Sequence, residues 1–391
     1  MLIKEGLIHN YAKVVVTKRT GFANSDLLNA ILHQKDSETY YISVPNQKLF
    51  EGPKNYIRLP SGINNTESVV SQILSKIQLC GTRLINLADI FQGIVTGANQ
   101  ITKSQIKDFD LSAINGSGIF VVTEQEIEKL NLNKIEMGFV KPWYKNSDID
   151  KWVASSVSDK KLIYIRADDY IEKIKITNLI HHFEQYKQLL INRNVRTGKV
   201  TLKDYDEFVK GKRDIPYVMI KSAFKKGNYF CISYARDSEV FQSEKIVCPQ
   251  FSNTNKFAFD DSEWFAASDV YFIKNKSDID INLKYILAII NSKLCYFWLY
   301  HRGQRKGKTL QLFKGPLSEI PIVKLPINDQ KPFIDIVNMI IDVLKSDNNL
   351  LNNHKKEIVK ENETKLDNLI YALYGLTDEE IELVETNVKH G

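Results

Sequence analysis

Two basic clusters are the strongest candidates for chemistry in this 391-residue chain. Residues 187–226 contain eleven Lys or Arg and four acidic residues. Residues 301–314 contain five Lys or Arg and no acidic residue. Guanidinium and ammonium groups bind phosphates, and a guanidinium can also donate two hydrogen bonds to a guanine edge. Runs of charge are often only solvated faces. Because Asn, Thr and Gln lie between these charges, the pattern favours contact with a nucleic acid.

The net charge of +6 is unevenly distributed along the chain. Residues 328–391 contain thirteen acidic and seven basic residues, a balance of −6, which leaves +12 on residues 1–327. The positive charge therefore lies in the body of the protein. A polyanion such as double-stranded DNA is the partner that this distribution predicts.

We assign two roles to the candidate DNA-binding side chains. Phosphate contact, which fixes the register on DNA, is predicted for Lys141, Lys145, Lys212, Arg213, Arg302, Lys306 and Lys308. Base contact is predicted for Arg193, Asn194, Arg196, Gln304 and Arg305. Gly303 and Gly307 would let a cationic loop follow a DNA backbone closely.

Motifs for methyl transfer are missing from the sequence. Enzymes that methylate an amino group of a DNA base need a D/N/S-P-P-Y/F loop, and none of the ten prolines is adjacent to another. The G-x-G of Gly116 to Gly118 precedes a predicted strand, whereas a cofactor loop follows one. We therefore expect no catalytic residue and no bound cofactor in this chain.

The sequence also gives little indication of a metal site or of a catalytic nucleophile. Asp260, Asp261 and Glu263 are interpreted as solvated turn residues of a hairpin, since no second carboxylate set accompanies them. His181 and His182 are interpreted as a surface or core feature of a helix. We expect no metal site.

Cysteine usage and hydropathy indicate the compartment. The four cysteines stand far apart without a C-x-x-C pair, so neither zinc nor a disulfide framework is expected. The apolar stretch 283–300 is interrupted by Lys and Asn residues and is interpreted as a buried helix. No targeting segment is recognisable. These features predict a cytoplasmic protein that does not enter a membrane.

The pattern of apolar residues predicts an α+β fold, with an irregular and mainly antiparallel sheet, packed helices and a C-terminal helical appendage. Strands are predicted at residues 12–19, 38–44, 119–122, 162–166, 217–221, 229–234, 245–249, 256–259 and 268–273. Helices are predicted at residues 66–80, 178–192, 283–300, 331–345 and 351–374, with capping pairs at Thr123/Glu126 and Thr377/Glu380. Two glycines, Gly93 and Gly97, indicate a tight turn or a close backbone approach.

Four ordered segments carry a resemblance to a known family. They are L-A-D-I-F-Q-G-I-V-T-G-A-N (87–99), V-K-P-W-Y-K-N-S-D-I-D-K-W (140–152), L-A-I-I-N-S-K-L-C-Y-F-W-L-Y with R-K-G-K (287–308) and P-L-S-E-I-P-I (316–322). The sequence resembles the target-recognition region of TaqI-like adenine-specific DNA methyltransferases, a class that includes fused restriction-modification enzymes. Residues 366–385 are similar to the helical tail of that class.

The resemblance implies a division of labour. In that family a catalytic domain binds S-adenosylmethionine and flips the adenine, and the C-terminal region recognises the sequence. Residues 14–18 look like the last edge strand of such a catalytic domain. We therefore expect residues 1–82 to be a catalytic remnant with a linker helix, 83–327 the DNA target-recognition domain and 328–391 a helical region. S-adenosylmethionine would bind a separate methyltransferase or methyltransferase-endonuclease chain.

Three alternatives stay open at this stage. The chain could be an intact methyltransferase or nuclease with an unrecognised cofactor site. It could be an adaptor whose C-terminal helices bind proteins, with incidental basic loops. It could also be a truncated fragment that folds without a function.

Overall fold

The computed structural model describes residues 11–17, 24–33, 37, 39–45, 50–51, 56–57, 65–169, 172–193, 195, 198–216, 218–346 and 352–389. The chain divides into two compact units, Met1–Ser75 and Lys76–Gly391. Helices alternate with short strands that pair mostly antiparallel, which confirms the predicted α+β class. The finer domain boundaries at residues 82 and 327 stay predictions.

The first unit contains two small antiparallel sheets. Strand β1 (Tyr11–Thr17) pairs with β2 (Thr39–Pro45), and β3 (Phe50–Glu51) pairs with β4 (Tyr56–Ile57). Helix α1 (Ser25–Leu32) separates β1 from β2 along the chain. Both strands predicted for this region are confirmed. Their origin at the edge of a catalytic domain stays a prediction.

The second unit is built on several small sheets. Its strands are β5 (Thr82–Arg83), β6 (Ala88–Gln92), β7 (Val121–Thr123), β8 (Val140–Tyr144), β9 (Trp152–Val153), β10 (Lys160–Ile163), β11 (Lys245–Pro249), β12 (Phe251–Ser252), β13 (Ala258–Asp260), β14 (Phe265–Ala266), β15 (Val270–Asn275), β16 (Gln304–Lys306), β17 (Thr309–Gln311) and β18 (Pro321–Ile322). The sheet orders are β6-β15-β11-β13-β9, β14-β8-β10-β7, β12-β17-β16 and β18-β5. Only two pairings among these described strands, β13 with β9 and β14 with β8, are parallel.

The remaining helices follow α1 along the chain, and the last three form the C-terminal region. They are α2 (Asn65–Cys80), α3 (Leu84–Leu87), α4 (Lys103–Phe109), α5 (Glu124–Leu130), α6 (Lys134–Met137), α7 (Thr177–Glu184), α8 (Lys187–Asn192), α9 (Leu202–Val209), α10 (Lys221–Lys225), α11 (Glu239–Gln242), α12 (Leu283–Ile290), α13 (Lys293–Arg302), α14 (Lys314–Ser318), α15 (Lys331–Lys345), α16 (Asn352–Leu373) and α17 (Asp378–Lys389). The capping pair Thr123/Glu126 is confirmed at the start of α5. In the part of the chain that the structure describes, no helix is long and apolar enough to cross a membrane.

Two predicted helices are each broken into two. The prediction at residues 283–300 missed the break between α12 and α13, where Ser292 Oγ accepts a hydrogen bond from Cys295 N at 3.1 Å and starts a new helix. The side chain of Asn291 bonds the backbone N and O of Phe257 at 3.1 and 2.9 Å. The prediction at 178–192 missed a similar break between α7 and α8. At Asn291, polar bonds to a segment distant in the sequence therefore override a continuous apolar pattern.

Two predicted strands are wrong. Residues 218–221 form one isolated bridge and the start of α10, while Tyr217 lies outside the described residues. Residues 229–234 form irregular, mostly buried backbone with one bridge from Tyr234 to Val95. Aromatic and β-branched residues fit any buried surface, so their clustering here reflects burial rather than strand pairing.

The two glycines of the segment 93–97 have the roles predicted for them. A Cβ at Gly93 would lie 2.1 Å from Ala267 O, so the backbones approach too closely for any side chain. Gly97 has φ +78°, a left-handed conformation that favours glycine. This segment is thereby held against β15 and its preceding turn, where Gly93 N donates to Val270 O at 2.9 Å.

A buried carboxylate attaches the C-terminal helices to α13. Asp367 of α16 is 4% exposed, and its Oδ1 accepts a hydrogen bond from Lys293 N at 2.9 Å. Lys293 Nζ lies 3.5 Å from Asp367 and 2.7 Å from Glu385 of α17. Burial raises the pKa of Asp367 from 3.8 to about 6 despite this lysine. The folded protein therefore holds a proton that the unfolded chain releases at the same pH.

This shift predicts that Asp367→Asn stabilises the protein at pH 8 but not at pH 4. As the pH rises from about 4 to 6, ionising Asp367 costs the folded state free energy, and that part of the stability is lost. Asparagine keeps the acceptor and never ionises, so its free energy of unfolding should exceed that of the wild type by about 1–3 kcal/mol at pH 8. Urea unfolding at both pH values measures the difference. Asp342→Asn, at an exposed position of α15, is the control; an equal effect of Asp367→Asn at both pH values would contradict the assignment.

Candidate nucleic-acid interface

The second basic cluster forms a hairpin at the end of a buried helix. The chain leaves α13 at Gly303, where a Cβ would lie 2.4 Å from Leu299 O. Strands β16 and β17 then pair around a turn at Gly307, which has φ +61°. The segment predicted as a cationic loop is therefore a hairpin. The sequence did not indicate its strands, because three residues are too few to show an alternating pattern. We call residues 304–311 the basic hairpin.

Cations of the basic hairpin project into solvent. Arg305, Lys306 and Lys308 are exposed. Among the described residues, neither Arg305 nor Lys306 forms an ion pair. The Arg305 guanidinium lies 3.9 Å from the centroid of the Tyr300 ring, and its Nη1 donates to Gly307 O at 3.0 Å. This cation–π contact holds the strand against α13 while its charge stays at the surface.

Arg302 lies deeper, at the base of the basic hairpin. Its guanidinium is 5.9 Å from the centroid of the Trp298 ring, and its side chain is half-buried. Burial lowers the pKa of Arg302. Because Arg302 ends α13 where the hairpin begins, it is placed to support the exposed cations of the basic hairpin.

Three cations of the first cluster are paired with nearby acids. Arg213 bonds Asp204, Lys221 lies 3.1 Å from Asp214, and Lys187 lies 3.1 Å from Glu184. Lys212 is exposed and forms no ion pair within the described chain. Both clusters therefore present exposed cations to a ligand.

Arg193 bonds to the interior of the protein. Its guanidinium donates to the carbonyl oxygens of Thr96 and Cys231 and lies 4.3 Å from the centroid of the Phe120 ring. Burial lowers its pKa to about 9, which still leaves the group charged at neutral pH. A base contact by Arg193 would break these bonds. The predicted neighbours Asn194 and Arg196 lie outside the described residues.

Lys141 and Lys145 lie on and just after β8. Lys141 Nζ is 3.1 Å from Glu263 Oε1, and the side chain is half-buried. Lys145 is exposed where the chain turns into the 3-10 helix Asn146–Asp148. The structure brings neither residue into a hydrogen bond with the basic hairpin.

The interpretation of Asp260 as a solvated turn residue is wrong. Asp260 ends β13 and is buried, and its Oδ1 accepts a hydrogen bond at 2.7 Å from Lys245, which is 0% exposed. Burial lowers the pKa of Lys245. The pair satisfies both buried charges, so these residues have a structural role, and removing either one would leave the other charge buried without its partner. Asp261 is exposed as predicted.

Other sequence candidates have structural roles. His182 is buried and its Nε2 lies 2.8 Å from Ile119 O, a core position. Gly116 to Gly118 form a turn before β7, as predicted. All four cysteines are free thiols. No group of three His, Cys, Asp or Glu within the described ranges could hold a metal ion.

Two residues of the β12-β17-β16 sheet were not predicted from the sequence as candidate contacts. Phe251 of β12 is 52% exposed and pairs with Gln311 of β17. Sixty residues separate them along the chain, so only strand pairing relates them. The only local signal for Gln311 is that the apolar Leu310 lies between the polar residues Thr309 and Gln311, as in a half-buried strand.

Residues 169–322 match the family model of the TaqI-like C-terminal specificity domain. This chain carries a TaqI-like specificity domain. Both basic clusters, residues 187–226 and 301–314, lie within the specificity domain, whereas Lys141 and Lys145 precede it.

Two curated relatives of the chain are Type II methyltransferases of Haemophilus influenzae. M.HindII is 24% identical over 265 residues, which cover 66% of this chain and 42% of that protein. M.HincII is 25% identical over 202 residues, which cover 50% of this chain and 36% of that protein. The chain therefore spans less than half the length of either relative.

Two solved structures share lower similarity. The Type IIL restriction-modification enzyme MmeI in complex with DNA is 12% identical with a TM-score of 0.49, covering 88% of this chain and 38% of that chain. The type IIG restriction endonuclease BpuSI is 13% identical with a TM-score of 0.40, and the match covers 94% of this chain and 40% of that chain. Similarity at this level carries no argument about the specificity domain.

The contacts of Arg193 predict a structural cost of replacing it. Arg193→Met would leave the carbonyls of Thr96 and Cys231 without their donor, so we expect the free energy of unfolding to fall by about 2 kcal/mol or more. Lys212→Met is the control at an exposed site without an ion pair in the described chain, and it should change stability by less than about 0.5 kcal/mol. Urea unfolding measures both. Equal stability of the two variants would show that Arg193 has no such role.

Proposed function

We propose that this chain binds double-stranded DNA and acts as the specificity part of an adenine-specific DNA methyltransferase or restriction-modification system. The observation that carries the proposal is the position of both basic clusters inside residues 169–322, the segment that matches a specificity domain. A specificity domain must bind DNA, and the charge needed to do so lies within it.

Exposed cations contact phosphates in this proposal. Lys306, Lys308 and Lys212 are exposed, so a DNA backbone can approach them directly. Lys145 and Arg302 are assigned further phosphate contacts. Arg213 and Lys141 would have to exchange a carboxylate for a phosphate, because each is ion-paired in the free protein.

Base contact is assigned to the exposed strand of the basic hairpin. Gln304 presents an amide whose donor and acceptor match the N7 and N6 atoms of adenine. Arg305 and Arg193 support the surface from behind through their aromatic and carbonyl contacts. Roles for Asn194 and Arg196 stay as predicted from the sequence.

Methyl transfer is assigned to a separate chain that binds S-adenosylmethionine. The purified chain is then expected to bind duplex DNA and to transfer no methyl group from labelled S-adenosylmethionine in a filter assay. Measurable transfer would support the alternative of an intact enzyme with an unrecognised cofactor site.

Salt dependence tests the phosphate contacts. Lys306→Ala should weaken binding to every duplex sequence by a similar factor and lower the slope of log Kd against log salt by about 1. Fluorescence anisotropy with labelled duplexes at four salt concentrations gives the slope. Lys331→Ala is the control, because this lysine is 74% exposed and lies in the acidic C-terminal region. Unchanged affinity and slope for Lys306→Ala would favour the adaptor hypothesis.

A further inference from the structure

The strand register of the sheet β12-β17-β16 places five side chains on the same face. Phe251 pairs with Gln311, and Gln311 pairs with Gln304, so these three form a row across β12, β17 and β16. Directly opposed residues of antiparallel strands project to the same face. Lys306 and Thr309 form the next pair on that face, two residues further along. We call these five residues the glutamine face.

The opposite face of the same sheet is turned toward the protein. Leu310 is 1% exposed, and Arg305, its partner across the strands, lies on the Tyr300 ring. Alternation along the strands therefore leaves the glutamine face toward solvent. Phe251, Gln304 and Lys306 are exposed, and Gln311 and Thr309 are half-buried.

Both glutamine amides are unused by the protein. Neither the Gln304 nor the Gln311 side chain forms a hydrogen bond with any described residue. Thr309, in contrast, donates to Asn253 at 3.0 Å, which fixes the neighbouring loop to the sheet. Two amides with open donors and acceptors, beside an exposed phenyl ring, can bind a ligand that offers both hydrogen bonds and an apolar group.

An A·T base pair offers that combination in the major groove. A glutamine amide bonds adenine N6 and N7, and an apolar side chain contacts the thymine methyl group. Adjacent strands are about 4.8 Å apart, so the row from Phe251 to Gln304 spans roughly 10 Å. The major groove is about 12 Å wide, so a row of this length fits within it. Lys306 lies beside the row and carries the charge that a phosphate at the groove edge requires.

We propose that the glutamine face recognises A·T base pairs in the major groove, with Gln304 and Gln311 bonding adenine and Phe251 contacting the thymine methyl. This assignment rests on the proposed DNA-binding function and names the residues that determine its specificity. Arg305 is then a positioning residue, which holds β16 through Tyr300.

Selection from randomised duplexes at about 100 mM salt tests the assignment. The wild type should select a site containing A·T pairs, and Gln304→Ala and Gln311→Ala should each lose about 10- to 100-fold of the discrimination at one of those pairs. Affinity for non-selected duplex should stay within a few-fold of the wild type. Phe251→Ala should reduce the preference for thymine over uracil in a site made with deoxyuridine, since uracil lacks the methyl group.

Controls separate this inference from the proposed function. Gln125→Ala, at an exposed position of α5, should select the wild-type site. If Gln304→Ala and Gln311→Ala both select the wild-type site unchanged, the glutamine face is not the recognition surface, although DNA binding stands. If the altered position is a G·C pair, the A·T assignment is overturned. If the wild type selects no sequence and binds no duplex at low salt, the proposed function itself fails.

Discussion

The pairing of β17 with both β12 and β16 determines which side chains share a surface of this protein. Leu310, in the middle strand, is 1% exposed, and the backbone of Leu312 donates to Gln250 O at 2.8 Å. A shift of one residue would expose this leucine and bury a glutamine amide without a partner, so the hydrophobic effect and hydrogen bonding both favour the observed register. Everything inferred about base recognition depends on that register.

Ion pairs neutralise part of the charge of the first basic cluster. In residues 187–226 Arg213 and Lys221 are paired with Asp204 and Asp214 of the same segment. Such exposed pairs contribute little stability, and they reduce the field that a polyanion encounters. In the basic hairpin Arg305 and Lys306 keep their charge available, because an aromatic ring rather than a carboxylate supports Arg305. A charge run therefore indicates a ligand surface only when its partners are known.

Part of the segment that resembles the methyltransferase family serves packing. Gly93 lies too close to Ala267 to accept a side chain, and the Thr96 carbonyl receives the guanidinium of Arg193. These contacts connect the segment 93–97 to the core of the specificity domain. Residues of a family motif can therefore serve packing rather than binding.

The sequence alone determined the α+β class, the amphipathic helices, the helix caps, the glycine segment and the domain family, because each depends on local periodicity, local hydrogen bonding or motif order. Residues 229–234 and the break at Ser292 were not predictable, since burial and bonds to distant segments such as Phe257 decide them. Tertiary structure alone decided that Arg193 bonds two carbonyls inside the protein. It also brought Phe251 and Gln304 into one row through strand register, which no local pattern encodes.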